Sequence, residues 1–139
     1  MARVQVHRIS VEFDDCDPAQ IAFFANFFRW YDAASRHFFE KCGVPPWREL
    51  EKLTGIIGTP VVDAHCRFFL PTTYGDVVEI HTSVESWRPR SFTMKHRLQR
   101  GEELLAEGRV VRVFAIRHPS DPSRIKAVPV PEDIKRLCE

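Results

Sequence analysis

Several marks of common functional classes are missing from this chain of 139 residues. Lys plus Arg outnumber Asp plus Glu by only 20 to 19, a net charge of +1. No bulk field therefore draws the chain to nucleic acid, and any grip on an anion must come from a local cluster. There are four cysteines, Cys16, Cys42, Cys66 and Cys138, widely spaced and never arranged as C-x-x-C. That spacing speaks against a zinc ribbon or a disulfide framework. Reduced thiols in a cytoplasmic protein are the simpler expectation. The start, MARVQVHRIS, lacks the apolar run of a signal peptide, and no window approaches the apolar length of a membrane span. Repeats, low-complexity tracts and linkers are missing too. The histidines are scattered; His37, His65 and His96 fall within regular elements, and no arrangement suggests a metal site or a triad.

What is present reads as one domain over residues 1–139, large enough to bury a core without disulfides or metals. Val4, Val6, Ile9, Val11 and Phe13 alternate with polar residues. This predicts a strand, ended by Pro18, with a phase slip near Arg8 read as a bulge. Over residues 21–42 the period becomes helical. Phe24, Phe28, Tyr31 and Phe38 mark one stripe, and Phe23, Phe27, Trp30 and Ala34 mark a second beside it. The apolar face is thus wider than a surface helix requires. Gly43 stops the helix, and Pro45 and Pro46 confirm the stop.

WRELEKLTGIIGTP predicts a short helical turn or loop closing on Gly55 and Gly58. Strand patterns follow: Val62 to Leu70 in strict alternation, then DVVEIHTSVESW, then SFTMKHRLQR after the turn RPR. LLAEGRVVRVFAIR is apolar on both faces after Val110 and reads as one central strand. HPSDPSR is predicted as a loop, IKAVPV as an edge strand and PEDIKRLC as a short helix. One helix that is apolar nearly all round needs cover on several sides, and a strongly curved antiparallel sheet would supply it. The exposed edges of so small a sheet favour pairing in a dimer.

The chemistry concentrates in VEFDDCDPAQ. Asp14, Asp15 and Asp17 crowd four positions just before the helix. One reading is capping, with Asp17 at the N-cap and Pro18 at the first helical position. Another sets a carboxylate beside the orphan N–H groups of a helix N-terminus, where a carbonyl oxygen becoming an oxyanion would sit. A hard-metal site is a third, weakened by the lack of further ligands at a suitable spacing.

FDDCDPAQIAFFANFFRWYDAASRHFF, then CGVPPWRE, then GIIGTPVV, then WRPRSF resemble the hotdog-fold thioesterases, specifically the 4-hydroxybenzoyl-CoA thioesterase family. The resemblance spans residues 11–92, and the later strands fit in order and length. It implies an α+β hotdog fold, one long helix wrapped by a curved antiparallel sheet. It implies a cytoplasmic homodimer, pairing again to a homotetramer, that hydrolyses a small aromatic, hydroxybenzoyl-type acyl-CoA to free acid and CoA. CoA is part of the substrate, and no cofactor, metal, nucleic acid or membrane is involved. Asp17 matches the catalytic carboxylate, as nucleophile or general base, and the Phe24 backbone N–H matches the group that polarises the thioester carbonyl. The helix would then begin several residues after Asp17.

Gln20, Asp32, Trp47 and Thr59 fall at the substrate, and Arg88, Arg90 and Ser91 at the CoA moiety. Gln20 stands where the family usually has glycine, so it either accepts backbone strain or adds a side-chain amide to the site; Phe27 stands where the family has tyrosine. From the residues alone, Arg88 and Arg90 are either a solvated hairpin tip or a fork matched to phosphate. Arg124 and Lys126 stand outside that pair. Trp47 is either a packing residue or a pocket wall. Asp32, on an apolar helix, is expected to be buried and to pair with Arg36 one turn on, or else with a substrate group. Two other functions keep the fold: a hydroxyacyl-thioester dehydratase, disfavoured because no histidine sits before the helix, and a non-catalytic CoA-ester binding module.

Overall fold

The computed structural model describes residues 2–139. The long helix α1 spans Phe24–Lys41 and buries Phe27, Trp30, Tyr31, Ala34, Ser35, Phe38 and Phe39. These recur three or four positions apart, which is one face of a helix widened at its centre. The helix ends where predicted. Gly43 takes a left-handed φ of +94°, and the Val44 N–H reaches back to the Phe39 carbonyl at 3.0 Å, closing the last turn. The start differs from the capping reading. Phe23, not Asp17, holds the N-cap position, and Asp17 and Pro18 belong to a turn before the helix.

Strand β1 (Gln5–Ser10) leads the chain and is followed by a single 3-10 turn over Phe13–Asp15. Its register with the fourth strand runs unbroken from Gln5 to Ser10, so the expected bulge near Arg8 is absent; Val6 and Ile9, three positions apart in a regular strand, lie on opposite faces. Helix α2 (Trp47–Thr54) is a full element rather than a turn, capped by Gly55 at φ +82°. It runs into a short strand, β2 (Ile56–Gly58), which Gly55 and Gly58 had hidden. Then come β3 (Val61–Phe68), β4 (Val77–Trp87), β5 (Phe92–Arg100) and β6 (Glu103–Arg112). Strands β7 (Phe114–His118) and β8 (Asp121–Val128) and helix α3 (Glu132–Cys138) complete the chain.

The strands form an antiparallel sheet of order β1-β4-β5-β6-β3 and a smaller one of order β2-β7-β8. The long apolar run predicted as one strand is thus two. It breaks at Val113, whose N–H turns aside to the Pro60 carbonyl at 3.1 Å, and the chain passes from one sheet to the other. Residues predicted as the loop HPSDPSR contribute instead to both arms of the β7–β8 hairpin, with His118 opposite Asp121. β8 is an edge, as its neighbouring prolines suggested.

Two apolar clusters fill the interior, one around Phe38, Phe39, Phe92 and Phe114, the other around Phe27, Trp30, Tyr31, Ile80, Leu98 and Leu105. The second contains a close approach. Tyr31 lies against the backbone of β6 at Gly108, where a Cβ would come within 2.4 Å of the ring. The ring stacks on His96 at 4.8 Å, and the hydroxyl meets Cys66 Sγ at 3.4 Å. Burial pushes the His96 imidazole down to about 3, with the Arg112 charge adding to the effect. It is neutral in the core, its Nδ1 bonded to Thr82 Oγ1 at 2.8 Å. No helix is long and apolar enough to cross a membrane among the described residues.

Candidate active site

The three acids before α1 have three different surroundings. Asp14 is exposed. Asp15 is buried and anchors the segment: its carboxylate accepts from Arg29 Nη2 at 2.6 Å and from the Glu12 N–H at 2.8 Å. Its carbonyl accepts from the Phe23 N–H at 2.8 Å and from Asn26 Nδ2 at 2.7 Å. Asp17 opens a tight turn. The Gln20 N–H reaches the Asp17 carbonyl at 2.8 Å, and the Asp17 N–H reaches the Ile21 carbonyl at 3.0 Å. One carboxylate oxygen, Oδ1, accepts from the Ala19 N–H at 2.9 Å, a common use of Asp before proline in a turn. Its other oxygen has no partner among the described residues.

Gln20 closes this turn at φ +64°, the only left-handed non-glycine residue described. Its carbonyl accepts from Thr73 Oγ1 at 2.6 Å. Of the two roles open to it, it takes the strained backbone conformation. It lines a neighbouring recess of about 240 Å³ with Phe13, Asp17, Pro18 and Tyr74 and does not line the main cavity.

That cavity, about 370 Å³, is walled by Asp17, Ile21, Phe23, Phe24, Phe27, Phe68, Phe69 and Leu70, among others. Among the described residues Asp17 is its only ionisable lining residue, and no histidine lines it. Phe24 is the first residue of α1, and no backbone or side-chain oxygen among the described residues accepts from its N–H. A free donor at the positive end of the helix therefore shares an apolar cavity with a carboxylate. Phe27 is buried against Phe68, ring centroids 4.9 Å apart, so an apolar ring fills the place of a hydroxyl-bearing one.

The far wall of the cavity was not identified from sequence. The loop after β3 is fastened by Asp76, whose Oδ2 accepts from Thr72 Oγ1 at 2.8 Å, the Thr73 N–H at 3.1 Å and Arg100 Nη1 at 2.9 Å. The Ala22 N–H bonds the Thr72 carbonyl at 2.8 Å and ties this loop to the segment before α1. The available signal was Phe69, an extra apolar residue on the opposite face from the alternating Phe68 and Leu70 positions beside it.

Asp32, Trp47 and Thr59 lie together, but elsewhere. They line a second cavity of about 320 Å³ with Arg36, Pro60 and Arg112. Asp32 is not buried, its side chain being 72% exposed, and its partner is not Arg36. It pairs with Arg112 Nη2 at 2.9 Å, and Arg112 Nη1 bonds the Thr59 carbonyl at 2.8 Å. Arg112, eighty positions from Asp32, could not be found from spacing along a helix. Trp47 is half-buried and packs edge-on to Phe39 at 5.4 Å, so it is both a packing residue and a cavity wall.

Arg88, Arg90 and Ser91 form the β4–β5 turn, closed by the Arg88 N–H on the Ser91 carbonyl at 2.8 Å. Arg90 Nη2 is engaged by the Ala127 carbonyl at 2.9 Å, while the Arg88 side chain is exposed. Phe92 pairs with Arg112, which pairs with Val61. This turn therefore lies at the sheet end that carries the second cavity. One chain does not bring it to Asp17.

A family model described as the thioesterase-like superfamily matches residues 11–137. The chain is 42% identical over 143 residues to the 4-hydroxybenzoyl-CoA thioesterase of Pseudomonas sp. (strain CBS-3), covering 99% of each sequence. It is similar to the crystal structure of 4-hydroxybenzoyl CoA thioesterase mutant D17N complexed with 4-hydroxybenzoyl CoA, with a TM-score of 0.92, 39% identity and coverage of 99% and 100% of the two chains. It is also similar to a gentisyl-coenzyme A thioesterase, with a TM-score of 0.83, 30% identity and coverage of 97% and 100%.

Proposed function

This chain belongs to the thioesterase-like superfamily and is a thioester hydrolase, and from that premise we propose that it hydrolyses a hydroxybenzoyl-type acyl-CoA to the free acid and CoA. One observation carries the proposal: the Asp17 carboxylate and the unpartnered Phe24 N–H share one apolar cavity. The thioester carbonyl oxygen would take the Phe24 N–H, strengthened by the helix dipole, as it becomes an oxyanion. Asp17 acts on the carbonyl carbon as nucleophile or, through water, as general base. As nucleophile it forms a mixed anhydride and expels the CoA thiolate, and water then cleaves the anhydride to return the carboxylate and free acid. As base it takes a proton from the attacking water. Rapid-quench detection of an acyl-enzyme separates the two routes. Neither needs a cofactor. The aromatic lining supports a ring-bearing acyl group, as do relatives named for 4-hydroxybenzoyl-CoA and gentisyl-coenzyme A.

The substrate site we propose is shared between two chains. The two cavities lie at opposite ends of β3, by Phe68 and by Val61. Seven residues of strand separate these ends by roughly 23 Å, more than one aromatic ring can span. β3 is an unpaired edge, exposed along nearly its whole length, with Val61, Val62 and Phe68 uncovered. Antiparallel pairing of two such edges about a two-fold axis sets the Phe68 end of one chain beside the Val61 end of its partner. Asp17 and Phe24 of one protomer would then meet the partner's Asp32, Trp47 and Thr59, with the partner's Arg88, Arg90 and Ser91 placed toward the CoA phosphates.

Thiol release measured over hydroxybenzoyl, benzoyl, aryl-acetyl and aliphatic CoA esters tests the reading. Asp17→Asn is expected to lower turnover roughly 10²–10⁴-fold while still binding the ester. Turnover by Asp17→Asn at the parent rate would overturn the mechanism. An aliphatic ester outperforming the aromatic ones in kcat/KM would overturn the substrate class.

A further inference from the structure

Arg112 is a buried cation, 5% exposed, in a wall that apolar side chains would fill as well. Its Nε is buried without a partner among the described residues. A buried ion pair is weak evidence of stabilisation, because desolvation offsets the attraction, and an unpartnered donor adds to the cost. The arrangement therefore calls for another reason. The two groups that the guanidinium does hold are the Asp32 carboxylate, through Oδ1, and the Thr59 carbonyl. Both residues line the second cavity with Arg112 itself. Asp32 Oδ2 has no partner among the described residues and is left as an acceptor, on a side chain that would otherwise turn freely in solvent. The guanidinium fork is split, one arm on the Thr59 carbonyl and one on Asp32 Oδ1, so the carboxylate is tethered to the backbone of the loop before β3 through a rigid planar group that a lysine does not reproduce.

We infer that Arg112 is a positioning residue for substrate choice: it holds the spare oxygen of Asp32 aimed into the acyl end of the site, where it accepts from a hydroxyl on the ring. The inference rests on the proposed thioesterase reading and names a residue outside the reacting atoms. A group fixed in this way discriminates against a substrate lacking the hydroxyl, because the anion then loses its partner.

The test is steady-state kinetics of 4-hydroxybenzoyl-CoA and benzoyl-CoA on the full chain, for the parent, Arg112→Met, Arg112→Lys and Asp32→Asn. The parent is expected to prefer the hydroxylated ester. Arg112→Met is expected to lower the kcat/KM ratio of hydroxylated to plain ester roughly ten-fold or more, chiefly through KM for the hydroxylated ester. Arg112→Lys should restore part of the preference, and adding Arg112→Met to Asp32→Asn should lower it no further. A merely structural arginine would lower both esters in proportion and leave the ratio alone, which would overturn the inference. Should Arg112→Met not fold, an unchanged ratio in both Arg112→Lys and Asp32→Asn would overturn it equally. A parent that cleaves both esters without preference defeats the inference and leaves the thioesterase reading standing. A parent that releases thiol from no CoA ester defeats the thioesterase reading, and the inference falls with it.

Discussion

Replacing Gly108 with alanine tests the packing beneath the site. The added Cβ would stand 2.4 Å from Tyr31 Cε2, 2.9 Å from Cδ2 and 3.0 Å from Cζ. Ordinary contact would require the ring to withdraw by about 1 Å. It has nowhere to go. Tyr31 is fully buried, stacked face to face on His96, and tied through its hydroxyl to Cys66. The strand cannot retreat either, since Gly108 pairs with His96 on one side and Cys66 on the other. Overpacking of this kind costs about 1–3 kcal/mol, and the contact distance places Gly108→Ala near the top of that range. The alanine recovers about 0.5–1 kcal/mol of backbone entropy that glycine forfeits in a strand. The net is a loss of about 2 kcal/mol, or roughly 8 °C in Tm for a chain of this length. Thermal melts at fixed protein concentration measure it. A double-mutant cycle with Tyr31→Leu, which removes the ring, locates the cause: the pair should be coupled by at least about 1 kcal/mol. A Gly108→Ala protein melting within about 1 °C of the parent, or additive effects in the cycle, would refute the steric reasoning.

Gln20→Gly is expected to raise stability by about 0.5–1 kcal/mol, because a left-handed non-glycine residue costs about 1–2 kcal/mol and glycine returns part of that as entropy; thiol release should persist, since Gln20 does not line the main cavity. Asp76→Ala removes the acceptor of three hydrogen bonds and should cost about 1–3 kcal/mol, with faster hydrogen exchange over residues 70–76 and a raised KM as the cavity wall loosens. Acid should destabilise the fold through His96. The unfolded imidazole binds a proton below about 6.5 while the buried one does so only near 3, so stability is present above pH 6.5 and falls by up to about 1.4 kcal/mol per pH unit between those values. Denaturant titrations from pH 7 to 4 should show a shallower decline in His96→Asn, and identical slopes would contradict a neutral buried ring. Mixing Asp17→Asn with Asp32→Ala chains should give kcat/KM on 4-hydroxybenzoyl-CoA above the mean of the two variants measured separately, because one of the two shared sites in a mixed dimer is intact.

Local chemistry made part of the fold legible. The body of α1, its glycine stop and the strands β3, β4 and β5 appear where periodicity placed them, with alternating burial in β4 and β5, whereas β3 is exposed on both faces and Phe23 and Phe24 lie exposed at the helix start. The failures have local causes as well. β6 and β7 read as one strand because a single residue, Val113, makes the crossing between sheets, and one residue carries no composition signal. Strand β2 is three residues long, with Gly55 before it and Gly58 as its last residue. β8 contains Pro122, whose missing N–H suits an edge but reads as a loop.

The proposed site could be named in its residues but not in its geometry. Asp17 and the Phe24 N–H come from the family resemblance, whereas the residues alone favour capping, the commoner use of Asp-Pro before a helix. Burial separates the two roles. Asp15 performs the structural task that capping would have required, holding Arg29, the Glu12 N–H and, through its carbonyl, the Phe23 N–H. The N-cap position itself falls to Phe23, which has no side-chain acceptor to offer. A helix start without a cap forgoes about 1 kcal/mol, and local rules broken in this way collect at functional sites. What that omission leaves is a donor facing the cavity and an acid whose second oxygen is unspent. The acyl end of the site could be named but not placed, because Asp32, Trp47 and Thr59 lie a strand's length from Asp17 within one chain. Only the pairing of two β3 edges would turn that separation into adjacency, and a pairing of that kind is a property of an exposed surface rather than of any motif.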